Sequence, residues 1–155
     1  MSRSGYSDEW DKSVAMWRGV IASASRGKRG QRFFRDLVAA LDAMPVKALV
    51  AGELQTTDGA VCALGALGRH RGHDLTAVDT YDHDALGETF DIARQLAAET
   101  MYENDERAWQ ETPEQRWTRV RKWAVSQIRP PAQATDTTTP PGAGGGVDAP
   151  GAVKP

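Results

Sequence analysis

Apolar residues recur at spacings of three and four through three stretches of this chain, a period that helices satisfy and strands do not. Trp10, Val14, Trp17, Val20, Ile21 and Ala24 share one face of the first stretch. Ser7 stands before it as a candidate N-cap, and Asp8-Glu9 occupy the opening turn, where the helix dipole favours acids. Phe33, Phe34, Leu37, Ala40, Leu41 and Met44 form a second stripe. Gly27 and Gly30 separate it from the first, and Pro45 ends it because the ring forces the chain out of the helix. The third stretch has the fullest boundaries. Thr112 caps it, Pro113 takes the first helical position and Gln115 completes a capping box. Trp117, Val120, Ala124 and Ile128 make the buried face, and Pro130-Pro131 stop the helix.

The middle of the chain is less periodic. Thr57-Asp58-Gly59 is a turn signal, since Asp-Gly accepts the positive φ of a tight hairpin, with Glu53–Thr56 and Ala60–Cys62 as two short arms. A helix over Ala63–Arg69 follows, then a loop over 70–81, then helical stretches near 84–89 and 91–102 with Ile92 and Leu96 inward. After Arg129 the composition changes abruptly. Residues 130–155 hold six Pro, five Gly and four Thr and no aromatic, too little apolar surface to offset about 1–2 kcal/mol of backbone entropy per ordered residue. The expectation is a mainly α fold: a compact bundle of five to six helices with at most one short β-hairpin. It forms a single globular domain over residues 7–129, followed by a disordered Pro/Gly/Thr-rich tail over 130–155.

Composition removes several classes of function. With 40% apolar and 26% charged residues, the 155-residue chain reads as one ordinary globular domain. No apolar run approaches the roughly 18 residues of a membrane span, and no apolar stretch near the N-terminus resembles an export signal. Cys62 is the one cysteine, so no disulfide framework forms, which suits a reducing cytoplasm. A net charge of −2 is too near neutral to advertise a nucleic-acid binder by total charge.

The order Gly59-Ala60-Val61-Cys62-Ala63-Leu64-Gly65-Ala66-Leu67, then Glu103-Asn104-Asp105, then Thr112-Pro113-Glu114-Gln115-Arg116-Trp117 resembles small proteins encoded by tailed phages, prophages and some bacteria. Their shared pattern is a short hairpin, a Cys-x-Leu-Gly helix start, an Asn-Asp and a closing amphipathic helix. The resemblance spans Arg26–Ile128, roughly two thirds of the chain, and leaves out the tail. It implies a phage or prophage setting and no mechanism, because such proteins have no assigned activity.

The residues with chemical potential each have a structural alternative. Cys62 would stand at a helix N-terminus, where the dipole and free N–H groups lower a thiol pKa. His70 and His73 lie beyond it along the same helix, and eight positions of helix are about 12 Å, poor geometry for a thiol–imidazole pair. Its small apolar neighbours fit a packed cysteine better. His70-x-x-His73, with Asp74 and His83, suggests a metal, yet a structural zinc site needs four ligands and a catalytic one three, so no metal or other cofactor is expected. Asp82 reads as a helix cap and Asn104-Asp105 as a satisfied loop or helix end rather than as catalytic carboxylates. Gly27-Lys28-Arg29-Gly30 lacks the spacing and the preceding strand of a P-loop.

Charge is strongly partitioned. Residues 18–47 hold seven basic and two acidic side chains, 74–114 twelve acidic and two basic, and 116–129 five basic and none acidic. In one reading the acidic middle packs beside the basic helices and the charges partly cancel. In the other, Arg26, Lys28, Arg29, Arg32 and Arg35 line up with Arg119, Arg121 and Lys122 as a single basic face for phosphates or an acidic protein. Among the five tryptophans, Trp109 in the loop Glu106–Glu111 and Trp123 at the edge of its helix's apolar arc are the candidates for a binding surface, with lids over the core as the alternative. The expected function is that of a non-enzymatic, cytoplasmic accessory protein that binds a protein partner and modulates a host. A nucleic-acid-binding accessory protein using the basic faces, and a thiol enzyme using Cys62, are the competing readings.

Overall fold

Two glycines and a glutamine set the first corner of the molecule. In the computed structural model, which describes residues 12–131, helix α1 (Lys12–Arg26) breaks at Gly27, and α2 (Lys28–Ala43) starts at once in a new direction. A Cβ at Gly30 would sit 1.9 Å from the Ala24 carbonyl oxygen, so the two helices meet backbone to backbone. The remaining elements are α3 (Ala63–Arg71), α4 (His83–Phe90), α5 (Arg94–Asp105) and α6 (Pro113–Gln127). No strand occurs among the described residues, so the fold is all helical. The expectations placed on Ser7, Asp8, Glu9, Trp10 and residues 132–155 lie outside the described residues.

The second stripe is the centre of the core. Phe33, Phe34, Leu37 and Leu41 of α2 have no solvent exposure and pack against α3 on one side and α6 on the other. Met44 donates its N–H to the Leu41 carbonyl as α2 ends before Pro45, and the Trp117 indole N–H reaches the same carbonyl at 3.1 Å. The helix end that proline creates is thereby tied to α6. Helix α6 begins as its sequence dictates. The Thr112 hydroxyl accepts from the Gln115 N–H (3.2 Å), and Gln115 Oε1 accepts from the Thr112 N–H (2.9 Å). Helix α5 buries Leu96, Ala97, Ala98 and Met101 against α1, α3, α4 and α6.

The hairpin is smaller than its two arms suggested. One antiparallel bridge, Gln55 to Val61, is all that forms, supported by Thr56 N–H to Ala60 O (2.8 Å) and Cys62 N–H to Leu54 O (3.1 Å). Gly59, at φ +90, makes the turn. Two further differences matter. Helix α5 runs on to Asp105, beyond the expected end near 102, so that Asn104-Asp105 is a helix end, one of the two settings expected for it, rather than a loop. Val20, expected inward, is 41% exposed, and Met16 is 74% exposed. Among the described residues helix α1 packs mainly on α2 and α5, so its stripe is wider than the surface available to cover it.

Candidate functional site

Cys62 and Asn104 form one structural knot. The Cys62 Sγ caps α3 by accepting from the Gly65 N–H (3.4 Å), and the residue has no exposed surface. Asn104, brought in by α5, accepts from the Ala63 N–H through Oδ1 (3.0 Å) and donates through Nδ2 to the Val50 carbonyl (2.9 Å). Asp105 accepts from the Gly52 N–H at 3.3 Å. Hairpin, α3 start and α5 end are thus joined through backbone groups that would otherwise be buried without partners. A thiol held this way is shielded from any substrate in solution. The histidines do not converge: His70 and His73 are exposed, His73 against the Phe90 edge, while His83 is half-buried in the first turn of α4. Among the described residues no group of three His, Cys, Asp or Glu is placed to hold a metal ion.

The expected single basic face is divided. Arg119 turns into the molecule, where Nε and Nη2 meet Glu111 (2.9 and 2.6 Å) and Nη1 meets the Glu103 carbonyl oxygen (2.6 Å) and carboxylate (3.6 Å). These contacts hold the Glu111 carboxyl below its ordinary pKa, whereas burial raises that of Glu103 despite its cationic neighbours. Arg121 grips Asp42 through Nε and Nη2 (2.6 and 3.0 Å), Arg29 meets Asp91 at 3.1 Å, and Arg32 lies 4.0 Å from Asp36. Four of the eight candidate cations are therefore neutralised, partly by the acidic middle and partly by aspartates of α2 itself. Lys122 is exposed beside Trp117 and Val125 on another face.

Four of the candidates have no ion pair among the described residues, and three of them share one place. Arg26, Lys28 and Arg35 line an open groove of about 670 Å3 with Gln31, Pro130, Pro131 and a cation that sequence reasoning assigned no role, Arg129. Gln31 builds this groove. Its Nε2 donates to the Ser25 and Gln127 carbonyls (2.7 and 2.9 Å), and its Oε1 accepts the Arg129 N–H (2.8 Å). One buried amide thus fastens the end of α6 onto the α1–α2 corner, a link across 98 positions that no local pattern announces.

The two tryptophans have opposite settings. Trp123 is half-buried, its ring edge-on to Phe34 at 5.4 Å, a packing role. Trp109 is 95% exposed. Its loop is held at both ends: Glu106 and Arg107 donate their N–H groups to the Tyr102 carbonyl (2.8 and 3.1 Å), and Glu111 is fixed by Arg116 and Arg119. Near the start of α6, a separate, mostly apolar cleft of about 570 Å3 opens between the end of α2, the hairpin and α3, with Asp58, Arg69, His70 and Glu114 among its lining. Compared with known protein families, curated proteins and solved structures, the chain matches none. Among the described residues no helix is long and apolar enough to cross a membrane.

Proposed function

We propose that this protein acts by binding a protein partner, with no chemical step of its own, through the end of the molecule that presents Trp109. The observation that carries this reading is an indole left 95% exposed on a loop whose two ends are both fixed. Leaving so large an apolar side chain in water forgoes about 1.5–3 kcal/mol of burial free energy, a sacrifice that a docking role explains. Fixed loop ends reduce the backbone entropy lost on association, and tryptophan is among the residues that dominate binding energies. Commitment of Cys62 and Asn104 to the knot between hairpin, α3 and α5 supports a binding role over a thiol enzyme. The phage setting that the sequence resembles accords with a host protein, in the host cytoplasm, as the partner.

The test is quantitative capture of partners from host cells on full-length protein and on Trp109→Ala, with circular dichroism verifying that both are folded. A partner held through Trp109 loses roughly 30-fold or more in affinity on this truncation, the hot-spot range. Equal retention of every captured protein by the two forms would remove Trp109 from the binding surface and the reading with it.

A further inference from the structure

We infer that the groove between the α1–α2 corner and the end of α6 is a binding site for the phosphodiester backbone of a nucleic acid, independent of the Trp109 surface. The fold leaves four cations over around this groove. Arg26, Lys28, Arg35 and Arg129 are exposed, surround one concavity, and have no side-chain hydrogen bond or ion pair among the described residues, whereas Arg29, Arg32, Arg119 and Arg121 each have an acidic neighbour. No carboxylate lines the groove.

The placement is built by the fold. Lys28, Gln31 and Arg35 fall at i, i+3 and i+7 on one face of α2, which spaces the two cations about 10 Å apart along the axis. Gln31, buried between them, brings in Arg129 by its backbone, and Arg26 closes the corner as the last residue of α1. The N-terminus of α2 adds positive potential: Gly27 offers no side-chain cap, and the first turn has no acidic residue. Four like charges brought together without counter-charge cost the fold repulsion, which an arriving polyanion relieves. Outside the described residues the acids are few: Asp8, Glu9 and Asp11 beside Arg3 in residues 1–11, and two Asp beside one Lys in residues 132–155.

Ligand class follows from the lining. Three guanidinium groups can each meet phosphate oxygens through paired N–H donors, and an open groove lets a chain pass. An acidic peptide would need apolar pockets for side-chain anchors, and the groove offers only Pro130 and Pro131. No aromatic lines it to stack on bases, so recognition is of the backbone, without sequence preference.

The experiment titrates full-length protein against fluorescein-labelled duplex DNA at several salt concentrations, alongside Arg35→Ala, Arg129→Ala and Lys122→Ala. Lys122→Ala removes an equal charge outside the groove. Four phosphate contacts give a log–log salt slope of about −3 to −4, or roughly a 100-fold loss of affinity between 50 and 200 mM salt. Each groove variant weakens binding several-fold and lowers the slope by about one, while Lys122→Ala changes neither. Absence of binding at 50 mM salt, or equal losses from Lys122→Ala and the groove variants, overturns the inference. So does polyglutamate displacing the DNA at equal charge concentration, which would make the ligand an acidic polypeptide.

Discussion

Asn104 bonds to two backbone segments that are distant in sequence, and few side chains in this protein bear on tertiary structure so directly. Its amide satisfies the first N–H of α3 and the Val50 carbonyl, both otherwise shut away from water. Asn104→Ala strands those groups, and each unmet buried partner costs about 1–3 kcal/mol. The variant is expected to lower unfolding free energy by roughly 2–4 kcal/mol in urea titrations; a loss within error of zero would show that water or a backbone shift compensates. The sequence indicated that Asn104 and Cys62 are structural, because a short amide suits a loop or helix end and a thiol among small apolar neighbours suits packing. It did not indicate what they join, since Val50 and Ala63 lie 54 and 41 positions away. Trp109 was legible as a large ring in a short loop between charged residues. Arg129 was not, because only the Gln31 amide gives it a place.

At the level of elements, α6 lies where its capping box and prolines put it and α2 ends before Pro45 as read, but α2 starts at Lys28 and takes Gly30, read as part of the break, into its first turn. Helix α1 was harder, because a stripe states what can be buried and not how much neighbouring surface exists to bury it; hence the exposure of Val20. Ion pairing was illegible for a similar reason. Asp36 and Asp42 point outward from α2 by periodicity, but Arg71 and Arg121 reach them from other helices. The α1–α2 corner yields its own prediction. A methyl at Gly30 would overlap the Ala24 carbonyl, so Gly30→Ala must push the helices apart, despite alanine's higher helix propensity. The expected cost is about 2 kcal/mol or more, with amide exchange accelerating around residues 24–31. Faster exchange confined to α3 would be inconsistent with it.

Among the described residues, the polarised sequence folds so that several opposite charges meet, and stability then depends on pH in two opposing ways. Glu111 titrates below its ordinary range because Arg119 donates to it. Its contribution is present at neutral pH and is lost as the pH falls through its folded value. Glu103 titrates above its ordinary range because it is buried; its ionisation costs stability as the pH rises from the ordinary value to the raised one. Glu111→Gln is therefore expected to lower the urea midpoint at pH 7, and Glu103→Gln to raise it. The Glu103→Gln difference shrinks as the pH falls into the ordinary carboxylate range, whereas the Glu111→Gln difference persists below it, until the lowered carboxyl takes up its proton. Shifts of the same sign at neutral pH would contradict this account of the network.

Because the indole at position 109 is bathed in solvent while Trp17, Trp117 and Trp123 are half enclosed, it is an optical sensor among the described residues. Iodide should reach that ring before those three, and its long-wavelength emission should move toward the blue when another surface covers it, so occupancy can be followed without attaching a dye.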